Sequence, residues 1–224
     1  MQTIELHDLL TIEALKTTGA TAALTVSGMS VDVGQGENNN SVLKAHAAVE
    51  RTTGRRLPVD FHLDKRIPPG AGLGGASSDA AAALVGLKAM FKLDIDLDVV
   101  AAEIGSDVPF FLHGGAAIVE GRGEHVHPTP TTPSWFAIAW PGIELSTRAV
   151  YQAWDRWVQV KGEGLDRAAE HVEPRLKDFA RSLGANWRMT GSGSAFFQAL
   201  ASEEEARHAV RSLECWTAVS PALQ

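Results

Sequence analysis

Hydrophobic and polar residues alternate along several short segments, the pattern of a strand with one buried face. Two sets of apolar residues each share one side of such a segment: Ala22, Leu24 and Val26, and Val59, Phe61 and Leu63. The same alternation predicts strands at residues 116–120, 135–140, 195–200 and 216–219.

Helical spacing of apolar residues separates these strands. In residues 78–91, Ala80, Leu84, Leu87 and Phe91 are spaced four, three and four apart, which predicts one buried stripe on a helix. A similar stripe over residues 165–183 is interrupted by Pro174, which predicts two helices or a break. Residues 203–213 form a third predicted helix. Because strand and helix do not alternate regularly, we expect an α+β fold rather than a doubly wound sheet.

Three prolines in residues 127–133 (HPTPTTP) disfavour a helix or a central strand there. This segment is the best linker candidate, and it divides the chain near residue 132. We therefore expect one domain over residues 1–132 and another over residues 133–224.

The composition excludes several classes of protein. The chain has 224 residues, of which 45% are hydrophobic, enough for a buried core. Its 20 basic and 27 acidic residues give a net charge of −7 without basic clusters, which disfavours nucleic-acid binding. The sequence has no apolar run of about 18 residues, and its single cysteine fits a reducing cytoplasm. We expect a cytoplasmic enzyme or ligand-binding module, a monomer or homodimer without a membrane partner.

The most informative segment is residues 67–83, IPPGAGLGGASSDAAAA. Its four clustered glycines, Gly70, Gly72, Gly74 and Gly75, permit positive φ and close approach of the backbone to a ligand. A helix is expected to begin at Ser77 or Ser78. Its unpaired first-turn N–H groups would favour an anion such as a phosphate. Either serine hydroxyl can also supply a ligand for the Mg²⁺ that accompanies nucleotide triphosphates.

Three other interpretations of this segment compete. In the first, Ser77 or Ser78 is only a helix N-cap, which leaves the glycines unexplained. In the second, residues 70–75 match the dinucleotide fingerprint G-x-G-x-x-G, but the preceding segment alternates with polar residues, unlike a strand buried on both faces. In the third, the segment is a Walker loop, but no Lys-Ser/Thr pair closes it.

Two further elements carry candidate chemistry. In residues 104–112, IGSDVPFFL, Asp107 lies between a small-residue turn and an apolar run, so we expect it to be buried and held rigidly. Such a carboxylate can accept the proton of a substrate hydroxyl, although simple capping of the next element explains it equally well. In residues 189–194, MTGSGS, two glycines flanked by hydroxyl groups can line a ligand pocket or form a structural turn.

With these three elements in this order, the chain resembles the GHMP small-molecule kinases. The strings that carry the resemblance are IPPGAGLGGASSDAAA, GSDVPFFLHGGAAIVEGRGE and MTGSGSAFF. Within the family, the Gly-Gly-x-Ser-Ser-Asp and Ser-Asp-Val-Pro-Phe-Phe forms are most similar to the members that phosphorylate 4-diphosphocytidyl-2-C-methyl-D-erythritol in non-mevalonate isoprenoid biosynthesis. The resemblance implies an N-terminal domain like domain 2 of ribosomal protein S5, followed by a ferredoxin-like domain.

The resemblance also implies roles for individual residues. ATP, with Mg²⁺ at Ser77, is expected to bind along a loop made of Pro68, Pro69, Gly70, Ala71, Gly72, Leu73, Gly74, Gly75, Ala76, Ser77 and Ser78. Asp107 is expected to be the catalytic base. The third motif, made of Gly191, Ser192, Gly193 and Ser194, is expected to bind substrate, a small cytidine diphosphate-linked molecule.

In the family, two further motifs precede the point that Met1 matches: a catalytic lysine in Pro-Ala-Lys-Val-Asn-Leu and a Gly-Tyr-His segment. Neither string occurs here, so we expect an N-terminally incomplete chain, and its activity in this form stays open. None of Lys16, Lys44 and Lys65 lies in that motif, and an unpaired Asp107 is expected to have a raised pKa. A non-catalytic nucleotide-binding module and, less favoured, a nicotinamide-dependent oxidoreductase remain the alternatives.

Overall fold

The computed structural model describes residues 1–15, 22–29, 40–158 and 164–224, except for the side chains of Trp157 and Val158. Strand β3 (Val59–Lys65) is central in the first sheet, and its apolar residues all point to one side. It pairs antiparallel with β1 (Leu9–Ala14) and parallel with β2 (Ala23–Gly28). The buried side packs on α1 (Ser41–Thr53) and α2 (Gly75–Phe91).

Two short helices and a hairpin follow α2. Helix α3 (Leu97–Ile104) and helix α4 (Val108–His113) both pack on the hydrophobic core that β3, α1 and α2 form. Strands β4 (Ala116–Glu120) and β5 (His125–Thr129) form an antiparallel hairpin. The hairpin joins the helical layer to the second half of the chain.

The second half is built around an antiparallel sheet with strand order β7-β8-β6-β9. Its strands are β6 (Trp135–Trp140), β7 (Arg188–Met189), β8 (Phe196–Leu200) and β9 (Trp216–Pro221). Its helices are α5 (Thr147–Ala153), continued by a π-helical turn (Trp154–Val158), then α6 (Leu165–Val172), α7 (Arg175–Leu183) and α8 (Glu203–Val210).

These elements confirm the expected α+β class. Pro174 separates α6 from α7, as the interrupted stripe predicted. The linker prediction at residues 127–133 is partly wrong, because its first three residues belong to β5. Pro128 is tolerated there because β5 pairs only with β4 among the described strands, so a missing N–H costs little. The division into two domains near residue 132 stays a prediction.

Among the described residues, no helix combines the length and apolar character that a membrane crossing needs.

Candidate active site

The glycine-rich loop runs from β3 to α2 through alternating left-handed residues. Gly70, Gly72 and Gly74 have φ angles of +61°, +73° and +74°, which glycine adopts without strain. Gly75 is instead the first residue of α2, where a Cβ atom would lie 3.3 Å from Nζ of Lys65. Backbone shape therefore favours glycine at three of the positions, and at the fourth a side chain would be tightly packed.

Each left-handed glycine lies against a different part of the protein. A Cβ atom on Gly70 would lie 3.0 Å from Cα of Glu144. On Gly72 it would lie 2.5 Å from the carbonyl oxygen of Thr190, and on Gly74 2.6 Å from Cζ of Phe111 in α4. Real Cβ atoms essentially never come closer than 3.0 Å to another atom, so Gly72 and Gly74 have no room for a side chain and Gly70 has very little.

Carbonyl and amide groups of the loop are used differently. Three consecutive carbonyl oxygens accept hydrogen bonds from the second half of the chain: Gly70 from the Leu145 amide (3.0 Å), Ala71 from the Ala195 amide (2.9 Å) and Gly72 from the Thr190 hydroxyl (2.7 Å). In the described part of the chain, the amide N–H groups of residues 70–76 donate to no protein acceptor. The loop thus presents a row of free donors where a helix begins, an arrangement that suits phosphate oxygens.

Helix α2 begins two residues earlier than the first serine, so the predicted start at Ser77 or Ser78 is wrong. Gly74 is the N-cap, and its left-handed conformation turns the chain directly into the helix without a capping side chain. The interpretation of either serine as the N-cap is therefore wrong too. The Ser78 hydroxyl donates to the Gly75 carbonyl oxygen at 2.8 Å, whereas the Ser77 hydroxyl has no protein partner among the described residues. Ser77 stays the better candidate for a metal ligand.

Asp107 lies just before α4 at the N-cap position, but its carboxylate makes no capping hydrogen bond. The capping interpretation is therefore wrong. The expectation of a buried side chain is also wrong, because the residue is exposed. Surrounding protein still removes part of the water near the carboxyl group, and this desolvation raises its pKa above 3.8. The predicted direction of the shift is confirmed, and no ion pair opposes it in the described residues; Lys16 lies outside them.

The backbone around Asp107 is fixed from both sides. Gly123, in the β4–β5 turn, packs so closely that a Cβ atom there would lie 1.7 Å from the carbonyl oxygen of Ser106. Phe111, four residues after Asp107, touches Gly74, and four residues of helix span about 6 Å along the axis. Helix α4 thereby carries the carboxylate at one end and contacts the glycine-rich loop within about one helical turn.

The third motif lies against the loop, and its hydroxyl groups are already paired. The Ser192 hydroxyl donates to Oγ1 of Thr147 at 3.1 Å. Ser194 is fully buried; its hydroxyl donates to the Ile143 carbonyl oxygen and accepts from Nε1 of Trp140 at 2.9 Å. These hydrogen bonds hold the two serine side chains against residues 143–147. Substrate binding by Gly191, Ser192, Gly193 and Ser194 stays a prediction.

Lys65, the last residue of β3, is a residue beside the loop whose role the sequence analysis did not predict. Its ammonium group is buried and pairs with the carboxylates of Asp8 and Asp79, the latter at 2.8 Å. A lysine at an apolar position of a predicted strand is the only signal that could have indicated this burial.

The dinucleotide interpretation lacks the supersecondary unit that it requires. That fingerprint needs a strand, the glycine turn, a helix and a second parallel strand in the same sheet. Here α2 is followed by α3 and α4, and the next strand, β4, belongs to a separate hairpin.

Comparison with known proteins agrees with this arrangement. Residues 40–115, which include the glycine-rich loop and Asp107, match the model of the GHMP kinases N-terminal domain. A 4-diphosphocytidyl-2-C-methyl-D-erythritol kinase from Thermotoga maritima is 35% identical over 225 aligned positions, covering 88% of this chain and 80% of the relative. The chain belongs to the GHMP kinases. It is therefore a small-molecule kinase, in a family that takes phosphate from ATP.

Other GHMP kinases extend the similarity. The relative of the same name from Thermus thermophilus is 36% identical, covering 79% of this chain and 73% of its own length. A crystal structure of 4-(cytidine 5'-diphospho)-2C-methyl-D-erythritol kinase superimposes with a TM-score of 0.77 at 30% identity, over 99% of this chain and 88% of that one. Homoserine kinase from Cytophaga hutchinsonii shares the fold, with a TM-score of 0.72 at 18% identity. None of these comparisons supports a nicotinamide-dependent enzyme.

Proposed function

We propose that this chain transfers the γ-phosphoryl group of ATP to a hydroxyl group of 4-diphosphocytidyl-2-C-methyl-D-erythritol, in non-mevalonate isoprenoid biosynthesis. The observation that carries the proposal is the glycine-rich loop, whose carbonyl groups are bound to protein while its amides are free. The substrate follows from the names of the relatives at 35% and 36% identity.

The residues present fit the phosphates of ATP. Free amides of residues 70–76 and the N-terminus of α2 offer donors and a favourable helix dipole to a polyanion. The glycines let the loop pack against the rest of the protein, which holds its backbone in place. When bound, ATP supplies the phosphoryl group and Mg²⁺ neutralises its developing charge, with the Ser77 hydroxyl as the protein ligand that we propose for the metal.

Asp107 supplies the base. Its carboxylate accepts the proton of the acceptor hydroxyl as that oxygen forms a bond to the γ-phosphorus, while the bond from phosphorus to the ADP oxygen breaks. A carboxylate without a hydrogen-bond partner keeps its lone pairs available for this proton. Its raised pKa makes it a stronger base than an ordinary aspartate, at the cost of ionising only at higher pH.

The test is a direct assay of phosphorylation. ADP release is measured with ATP, Mg²⁺ and 4-diphosphocytidyl-2-C-methyl-D-erythritol, and the product is identified by ³¹P NMR as a new phosphate monoester. Both this chain and the longest reading frame that contains it are assayed. Transfer that depends on the acceptor supports the proposal.

Two other outcomes would contradict it. Tight ATP binding without transfer in either form would favour a non-catalytic nucleotide-binding module. Preference for another acceptor alcohol, such as homoserine, would keep the kinase but reject the substrate.

A further inference from the structure

Three charged side chains form a buried cluster beneath the glycine-rich loop. Lys65 lies at the end of β3, Asp79 in the first turns of α2 and Asp8 just before β1. Their side chains are 8%, 5% and 2% exposed. Nζ of Lys65 donates to Oδ2 of Asp8 and, at 2.8 Å, to Oδ2 of Asp79. Burial this complete is unusual for charged groups and requires that they be paired.

The cluster joins the two ends of the loop to each other. Oδ1 of Asp8 accepts hydrogen bonds from the amides of Arg66 (2.5 Å) and Ile67 (2.8 Å), the residues that lead into the loop. Lys65 connects the same carboxylate to Asp79, four residues after α2 begins. Gly75 lies directly on the ammonium group, as the 3.3 Å distance to its hypothetical Cβ atom indicates. The spacing between the entry and the exit of the loop is thus set by one lysine and two carboxylates.

This lysine is not available as a phosphate ligand. Two of its donors are used by carboxylates, and its ammonium group is covered by protein. The cluster carries at most one positive charge against two negative ones, so it does not attract an anion. It acts on the nucleotide only through the backbone that it holds.

We propose that Asp8, Lys65 and Asp79 are positioning residues: they form an ionic clamp that fixes the glycine-rich loop in the conformation whose free amides receive the phosphates of ATP. The clamp rests on the proposed function for the identity of the ligand. Its effect on the backbone can be measured without any catalysis.

The first experiment compares Lys65→Met with Lys88→Met. Lys88 is a matched control, since it lies on α2 and donates to the Ile95 carbonyl oxygen at 2.8 Å, far from the loop. ATP dissociation constants are measured calorimetrically with Mg²⁺ and without acceptor, well below each melting temperature. We expect Lys65→Met to raise the dissociation constant about tenfold or more, because small displacements of binding groups are costly, and Lys88→Met to change it less than about twofold.

Hydrogen exchange gives a second, activity-independent measurement. The amides of Ser77 and Ser78 donate to the Gly74 carbonyl oxygen, so their exchange reports whether the loop still meets the helix correctly. We expect about tenfold faster exchange there in Lys65→Met and no change in Lys88→Met. If wild type does not bind ATP, the proposed function fails while this measurement still tests the clamp.

Asp79 variants keep the proposal testable if Lys65→Met does not fold. Asp79→Asn keeps an oxygen that can accept from Lys65, whereas Asp79→Leu keeps the volume without an acceptor. We expect ATP affinity within about threefold of wild type for Asn and at least about tenfold weaker for Leu. In the kinase assay the loss should appear in the KM for ATP and not in the KM for the acceptor. Equal affinities for Asn and Leu, or lower stability with unchanged affinity, would overturn the clamp.

Discussion

Asp79 and Asp107 are both carboxylates with raised pKa values, yet their surroundings are opposite. Burial raises the pKa of Asp79 to about 6, against the opposing pull of Lys65 and with a smaller contribution from Asp8 in the same direction as burial. Asp107 is also desolvated, but it is exposed and has no hydrogen-bond or ion-pair partner in the described part of the chain. The carboxylate of Asp79 is hydrogen-bonded within the protein, whereas the carboxylate of Asp107 is free to accept a hydrogen bond.

The difference shows why a perturbed pKa alone does not identify a catalytic base. Structural ion pairs shift pKa values as strongly as active sites do. What distinguishes Asp107 is an open lone pair on a rigid support, with Gly123 fixing the preceding residue and Phe111 contacting the loop. Asp79 is buried and hydrogen-bonded to Lys65, which is why we assign it a positioning role.

The largest expected effect separates the two carboxylates directly. Asp107→Asn removes the proton acceptor, so we expect kcat to fall about a thousandfold, within the usual range for a general base. Because the native carboxylate makes no hydrogen bond, the melting temperature should stay within about 2 °C of wild type. Asp79→Asn should change kcat less than about threefold. Equal losses of kcat in the two variants would contradict the different roles of Asp107 and Asp79.

The glycine-rich loop gives the next largest effect. Gly72→Ala places a Cβ atom 2.5 Å from the Thr190 carbonyl oxygen, which must displace the loop. We expect ATP affinity to fall about a hundredfold. Gly142→Ala is the control: its φ of +74° is nearly the same, but nothing lies within 4 Å of the new atom. It should cost only about 1 kcal/mol of stability and leave ATP binding intact. ATP affinity in Gly72→Ala no weaker than in Gly142→Ala would show that the close contact at Gly72 does not matter for binding.

The pH dependence of the free energy of unfolding tests Asp79. The pKa of Asp79 is raised from 3.8 to about 6 by folding, so between these values the unfolded chain releases a proton that the folded protein keeps. The free energy of unfolding should therefore fall as pH rises from 4 to 6, by up to about 3 kcal/mol, and stay lower above. Asp79→Asn should remove this decline in urea titrations from pH 4 to 8. An unchanged decline in the variant would assign it to other groups.

The smallest expected effect concerns Asp107 and the pH dependence of kcat/KM. Asp107 must be ionised to accept a proton, so kcat/KM should rise about tenfold per pH unit on the acid side and level off above its pKa. Because desolvation raises that pKa, the midpoint should lie above 3.8. The rise of kcat/KM on the acid side should persist in Asp79→Asn. A midpoint that moves in that variant would identify Asp79 as the titrating group.

Much of this arrangement could be predicted because local patterns determine it. The stripe of α2, the break at Pro174 and three strands of the second sheet (β6, β8 and β9) follow from periodicity and from proline geometry, whereas the two-residue strand β7 was not predicted. The glycine spacing indicated a ligand-binding backbone for the same reason, since left-handed φ is a local property.

Contacts between distant residues could not be predicted. Nothing in the sequence near Asp8 indicates that it binds Lys65, 57 residues later. The start of α2 was predicted late because capping rules favour serine, whereas Gly74 turns the chain without a side chain. Asp107 was expected to be buried because its neighbours are apolar, but Val108 and Phe110 point inward while the carboxylate does not.

The free main-chain donors of residues 70–76 have a consequence for donor selectivity. In the function that we propose, they contact only the triphosphate, which ATP, GTP, CTP and UTP have in common. Discrimination among purine and pyrimidine donors must then arise elsewhere on the protein. Substitutions that alter this discrimination can accumulate without weakening the binding of the triphosphate.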